Sequence, residues 1–427
     1  MSTRSRMASE GAPPATRAER MAEIANAWLP LVTAFFGVAL GYAALHAHSN
    51  GAFFLPISNE FGWSRAQFAA TGVGAAIVGT ICGPFVGRFV DRFGPRKVGA
   101  TSATLCAAGF FCMSFLPGNL TYWIIAAALV ALIGAGTSII TYVSLVSHWF
   151  DRARGLAIGI IMSGSGVCAI IAPKLLIPFV AEAGWRAGYR VVALVLLLSV
   201  PLILIGAYRP REKANIATGT THTLDEQPGL SLREALRSGR FWRQGAAILM
   251  MGFGLAGLYS HFVPLLSDRG IGPAVAANLA ALFGGAVFAG RLLAGYLLDR
   301  VFAPILATIF VLVAVTGLAS ALLPGGSVAT ASVAAFCIGI SFGTELDIAG
   351  YITSRYFGRK AYGAIFGFQF SFFTTGAIMS SMSYGLIHDR TDSYSSALIM
   401  SMVVMLSAIP LLLSLGRYPE WKAGGPS

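Results

Sequence analysis

Charge is what this 427-residue chain has least of. Only 11% of its residues are Asp, Glu, Lys or Arg, against about 25% in an ordinary soluble domain. So few charges cannot cover a water-facing surface for a chain of this length, which excludes a string of soluble domains. Paired cysteines are lacking too. Cys82, Cys106, Cys112, Cys168 and Cys337 all lie inside apolar runs with no C-x-x-C spacing, which argues against a disulfide framework or a metal knuckle. There is no G-x-x-x-x-G-K-[ST] loop, so the chain alone is not expected to be an ATP-driven pump. There is no G-x-S-x-G, no H-E-x-x-H and no loop cluster of carboxylates, so neither an enzyme nor a cofactor is expected. Acidic residues are scarcer than basic ones, 18 against 30. The basic ones are scattered over short connections rather than gathered into a patch, which speaks against nucleic acid as a partner. The first 27 residues carry Arg4, Arg6, Arg17 and Arg20 and no apolar core, and are expected to form a cytoplasmic tail rather than a cleaved signal.

What the chain has in abundance is apolar length. Hydrophobic residues make up 56% of it, in stretches of about 20 broken by Gly, Pro and charged turns. Twelve spans are expected, near 29–57, 67–88, 97–116, 120–147, 155–180, 188–207, 243–266, 273–296, 302–323, 327–353, 361–387 and 394–416. In 29–57 and 327–353 one long helix or two short elements both fit. Lys and Arg concentrate on alternate connections; the others hold only Arg65, Arg186, Arg190, Arg269 and Arg390. That asymmetry places both termini in the cytoplasm of a cell with the chain in its inner (plasma) membrane.

The two sides of the long connection echo each other. GRFVDR at Gly87 and GYLLDR at Gly295 are 208 residues apart, and SHWFDR at Ser147 and SRYFGR at Ser354 are 207 apart. Each pair falls at the same kind of turn. The expected fold is all-α: twelve transmembrane helices in two six-helix pseudo-repeat bundles, a transporter architecture. Its parts are a tail (1–28), a bundle (29–207), a linker (208–242) containing the amphipathic piece SLREALRS, a second bundle (243–417) and a second tail (418–427).

The turn GRFVDRFGPRKV resembles the Gly, Asp and basic cluster that major facilitator superfamily members carry between their second and third helices. Further stretches are AFFLPISNEFGWSR, HWFDRARGLAIGIIMSGSG, AGWRAGYR, SHFVPLLSDRGI and GTELDIAGYITSRYFGRKAYGAIFG. Together they resemble the monocarboxylate transporter and oxalate/formate antiporter branch, from Trp28 to Arg417. The resemblance implies alternating access of a small organic anion, driven by H+ or a counter-anion, by a monomer in the bilayer. It implies structural roles at the turns for Gly87, Asp91, Arg92, Arg96, Asp299, Arg300, Arg152 and Arg359.

The repeat also separates scaffold from site. Arg291, moved back by 208, lands on Gly83, and His46 and His48, moved forward, land on Gly254 and Ala256. Glu345 and Asp347, moved back by 207, land on Ser138 and Ile140. Unmatched ionisable groups in a membrane are functional candidates. Arg291 has a planar fork suited to a carboxylate, and the resembled branch binds its substrate carboxylate through an arginine on helix eight. An ion pair with Glu345 or Asp347 would be the structural alternative. His48 falls where animal carriers have a lysine, and Val287 where they have an aspartate one turn before the arginine. The oxalate carriers' lysine on helix eleven has no equivalent in FGFQFSFFTTGAIMSS, which favours a monoanion. His46, His48, Glu345, Asp347 and His261 are candidates for proton coupling or gating, and Asn50, Tyr142 and Gln369 for hydrogen bonds to substrate. A proton-driven drug exporter and a non-transporting sensor of the same fold are the rival expectations.

Overall fold

The computed structural model describes residues 17–208, 228–323, 327–419, 421–422 and 425–426. Arg4, Arg6 and most of the expected linker therefore lie outside the described residues. Among those described, the secondary structure is helical apart from a short terminal hairpin, β1 (Trp421–Lys422) antiparallel to β2 (Gly425–Pro426), and an isolated antiparallel bridge between Gly229 and Gly358. The helices are α1 (Arg17–Asn26), α2 (Trp28–Leu40), α3 (Tyr42–Phe61), α4 (Arg65–Phe93), α5 (Pro95–Met113) and α6 (Leu120–Gly134). There follow α7 (Ile139–Trp149), α8 (Arg154–Ala183), α9 (Trp185–Gly206), α10 (Leu232–Arg237) and α11 (Gly239–Asp268). The last five are α12 (Pro273–Leu298), α13 (Ala303–Leu322), α14 (Val328–Phe357), α15 (Tyr362–Thr391) and α16 (Ser395–Leu413).

Local sequence explains most boundaries. A capping box of Ser64 and Gln67 starts α4, and one of Ser231 and Glu234 starts α10 within SLREALRS. Asn119 caps α6 through the Thr121 and Tyr122 amides. Gly94 and Gly184 turn the chain between consecutive helices at φ of 83°, a conformation that Gly adopts without a steric penalty.

Helices occupy each of the twelve expected stretches. Among the described residues ten helical stretches are long and apolar enough to cross a bilayer; α5, which opens on PRKVG, and the Ser/Thr-rich α15 are not among them. The result is an all-α, multi-span membrane fold. Two expected spans are interrupted. The first breaks at Gly41, whose extended backbone (φ −67°, ψ 159°) separates α2 from α3. The stretch 120–147, expected as one helix, breaks at a 3-10 turn over Ala135–Thr137. The breaks meet: Thr137 Oγ1 accepts the Tyr42 amide at 2.9 Å and donates to the Gly134 carbonyl at 2.7 Å. A hydroxyl replaces the helical acceptors lost there. The stretch 327–353 is a single helix, α14.

Two long crossings organise the molecule, α4 against α15 and α8 against α12, and both rely on bare glycine backbone. A Cβ on Gly363 would lie 2.7 Å from the Gly87 carbonyl oxygen, and one on Gly295 would lie 2.8 Å from that of Gly155. At the end of each crossing a carboxylate caps the facing helix. Asp91 accepts from the Gly363 and Ala364 amides at 2.9 and 2.7 Å. Asp299 accepts from Gly155 and Leu156 at 2.8 and 3.2 Å. An anionic side chain against exposed helix N–H groups is a favourable pairing. Acceptors and donors are both related by the offset of 208, so the same joint is made twice.

These joints lie on the face that carries both described ends of the chain, the terminal face below. Residues 17–26 of the expected tail form α1. There α1 docks onto the turn before α8, where the Glu23 carboxylate accepts from the amides of Asp151, Arg152 and Ala153 at 2.7–3.4 Å. Glu19 pairs with Arg152.

Candidate functional site

Arg291 sits on α12 with a relative exposure of 9%. At the equivalent place in the other crossing stands Gly83, which lies against the Gly367 carbonyl. The Arg291 backbone keeps that role, with its carbonyl facing Gly159 2.6 Å from where a Cβ would be. Its side chain turns elsewhere, to Asp347 on α14. Arg291 Nη1 donates to Asp347 Oδ1 at 3.5 Å, a long contact. The five donors of the guanidinium fork thus have one weak partner among the described residues.

The acids behind it are wholly buried. Asp347 is 0% and Glu345 1% exposed. Asp347 Oδ2 and both Glu345 oxygens have no hydrogen-bond partner among the described residues. Two residues apart on a helix, the acids point about 200° from each other, so Arg291 engages only one. Their helix packs closely on α12: the Gly290 position faces the Ile340 carbonyl, and Gly339 faces that of Phe283. Ionisable groups this poorly paired in a membrane interior are costly and mark a functional candidate.

The remaining candidates are dispersed. His48 on α3 lines a cavity of about 170 Å³ with Gly41, Thr137 and Ser165, beside the two helix breaks. A neighbouring space of about 300 Å³ between α3, α4, α7 and α15 is lined by Tyr42, Thr80, Ser138 and Thr374, among others. His46 stacks on Tyr42 at 5.3 Å, and Asn50 is half-buried on α3. Tyr142 is 1% exposed, with its ring against Gly37 of α2 and its hydroxyl near Gly99 of α5. Gln369 is fully buried and donates to the Phe241 carbonyl at 3.3 Å, tying α15 to α11. His261 contacts the Tyr394 hydroxyl and the Ser381 carbonyl, both at 3.2 Å. No described contact joins Arg291 to His48, Asn50, Tyr142, Gln369 or His261.

At the turns, Arg92 lies over the Phe93 ring and Arg300 over that of Tyr296, while Arg96 opens α5. Arg152 pairs with Glu19 and Arg359 with Asp151. Sequence reasoning missed the hub of this region, Asp151. Its Oδ1 lies 2.7, 3.0 and 3.9 Å from Arg154, Arg359 and Arg355. Burial alone would raise this carboxyl, but the three guanidinium groups outweigh it and hold it below the usual range. Glu23 was also passed over. The signal available was the spacing of Glu19 and Glu23, one turn apart and opposite in charge to FDRAR.

The profile of the Major Facilitator Superfamily matches residues 31–381. The chain belongs to that superfamily. This major facilitator protein is a membrane carrier that moves its substrate by secondary transport through alternating access, and it is not an enzyme. It is 25% identical to monocarboxylate transporter 13 of Bos taurus over 398 residues, 92% of this chain and 89% of that one. It is 23% identical to the uncharacterized MFS-type transporter YhjX of Escherichia coli over 347 residues, 79% and 84% of the two chains. Its fold is similar to the crystal structure of the major facilitator transporter FucP in the outward conformation. The TM-score is 0.69 at 14% identity, covering 92% of this chain and 99% of that one.

Proposed function

We propose that this carrier moves a small organic anion, in the first place a monocarboxylate, across the inner membrane by proton-coupled symport or anion exchange. The observation that carries the proposal is Arg291, a buried cation with a donor fork and, among the described residues, a single polar contact, at 3.5 Å. A substrate carboxylate engaging that fork replaces a weak partner with a bidentate, charge-assisted one. Asp347, displaced, becomes the proton acceptor, which links substrate and proton. His48 and Asn50 reach the substrate from α3. Tyr142 and Gln369 act through the helix contacts they make. His46, Glu345 and His261 are secondary candidates for coupling or gating. Relatives named monocarboxylate transporter 13 and monocarboxylate transporter 11 support the substrate class.

In this reading the twelve helical stretches form two six-helix bundles, 29–207 and 243–417, with 208–242 as the linker. The terminal face is cytoplasmic, as its excess of Lys and Arg favours. The joints at Asp91 and Asp299 shut that side, so the state is outward-facing. Open space beside Gly79 on α4 and Gly284 on α12 supports this assignment.

The test is uptake of labelled lactate, pyruvate and formate into proteoliposomes under an imposed pH gradient. Arg291→Gln is expected to lower uptake at least about 100-fold, the loss of a charge-assisted pair worth roughly 3 kcal/mol. Undiminished uptake by that variant would remove the anchor. No uptake of any acid by the wild type would favour the sensor.

A further inference from the structure

We infer that the groove between α4, α5 and α6 is a site for one anionic phospholipid, with the headgroup phosphate at Lys97 and an acyl chain along the groove. A cavity of about 430 Å³ lies there, beginning beside the turn that joins α4 to α5 on the terminal face. It exists because α4 and α5 diverge after Gly94. The first packs mainly on α6 and α15 and the second on α9, so neither covers much of the other. The volume is over ten times the ~30 Å³ that one water occupies in the liquid.

The walls are hydrocarbon. Phe85, Phe89 and Phe93 stand one turn apart on α4, and Lys97, Thr101 and Leu105 one turn apart on α5. The three phenylalanines and Leu105 are exposed. The hydroxyls of the lining are already used: Thr101 donates to the Lys97 carbonyl at 2.7 Å, and Ser102 donates to the Ile133 carbonyl. An apolar cavity of this kind offers water few partners and suits an alkyl chain. From Phe85 to Phe93 the slot runs about 12 Å along the helix, and its one charged lining group, Lys97, stands at the end nearest the terminal face.

Charge selects the headgroup. The turn 87–98 carries four cations, Arg88, Arg92, Arg96 and Lys97, and one acid, Asp91. Asp91 accepts from the α15 amides, and three positive charges remain even when it is counted in full against the four. Among the described residues none of these cations makes an ion pair. Arg88, Arg92 and Lys97 are exposed, and Arg92 lies over the Phe93 ring at the mouth of the slot. A basic cluster at the end of membrane helices favours an anionic over a zwitterionic headgroup. A lipid that only covers the apolar surface needs neither the slot nor the cation; the two together define one bound molecule. Every wall belongs to residues 82–136, so the site uses neither Arg291 nor the joints at Asp91 and Asp299.

The test places the full-length carrier in phosphatidylcholine nanodiscs with a small fraction of phosphatidylglycerol that carries a photoactivatable diazirine in one acyl chain. Peptides labelled on illumination are mapped by mass spectrometry. Label is expected to concentrate at residues 82–105 and 132–136. The same diazirine chain on phosphatidylcholine should label these segments at least about fivefold less. Lys97→Gln is expected to lower labelling by phosphatidylglycerol about fivefold, the effect of one cation beside an anionic headgroup, and to leave labelling by phosphatidylcholine unchanged. Thr101→Trp fills the middle of the slot from an exposed position and should lower labelling by both lipids. The inference is overturned if label spreads evenly over the lipid-facing segments, if the two lipids label alike, or if Lys97→Gln matches the wild type. A dimer whose second copy leaves these segments unlabelled would overturn it as well.

Discussion

The joints at Asp91 and Asp299 can be tested by removing one charge at a time. In Asp91→Asn one oxygen still accepts from the α15 N-terminus, but the other position becomes an NH2 group facing an amide. The variant loses one charge-assisted hydrogen bond and strands a buried N–H. Together these are worth about 2–3 kcal/mol. If the joint exists only in the state described here, that energy enters directly into the equilibrium between the two states. The ratio should shift roughly 30- to 150-fold toward the alternative. Asp299→Asn should do the same at the other joint, and the double variant should approach the product of the two shifts. The assay is labelling by a membrane-impermeant maleimide of a single cysteine at Gly79, where no atom lies within 4 Å of a new Cβ. The background lacks the five native cysteines. Labelling should fall in each variant and fall further in the double one. Unchanged labelling in folded single and double variants would refute the claim that these carboxylates hold the terminal face shut.

Other consequences follow from the same contacts. Gly363→Ala places a Cβ 2.7 Å from the Gly87 carbonyl oxygen and 2.8 Å from Asp91 Oδ1. It should destabilise the protein by about 1–3 kcal/mol, read as a lower unfolding temperature. Glu23→Gln should weaken the docking of α1 by about 1–3 kcal/mol, seen as faster hydrogen exchange over residues 17–26 with the membrane helices unaffected. Glu60 accepts from Arg186 and Trp185, which hold its carboxyl below the ordinary value of 4.5. A depressed carboxylate contributes fully above that value and is lost as pH falls through the lower folded one. The Trp185 indole N–H resonance should therefore be constant above pH 4.5 and titrate only below it. Titration above that pH would contradict the contact.

Much of the architecture was legible because it depends on counting. The apolar length of each stretch, and the Gly, Pro and charged turns between them, located the helices, since a bilayer demands internally satisfied backbone in each span. The repeat of GRFVDR and GYLLDR marked turns that prove to make one joint twice. Arg291 stood out for a related reason, having no partner in the repeat. Breaks within spans were harder to see. The 3-10 turn at Ala135–Thr137 arises because Thr137 serves the Tyr42 amide of another helix, a contact 95 residues away in sequence.

The sequence by itself determined that this chain crosses a membrane as helices, where most of those helices begin and end, and which charges lack a scaffold counterpart. Composition, apolar length and internal repetition are local or additive properties, and they survive without coordinates. Tertiary structure alone decided which acid meets Arg291. Glu345 and Asp347 are equivalent in composition and only two residues apart, but helical rotation sends just one toward α12. It also decided that Tyr142 and Gln369 face other helices, and that Asp151 gathers three arginines from two distant turns. Those are questions of direction in space, set by how helices rotate and cross when their glycine faces come into contact.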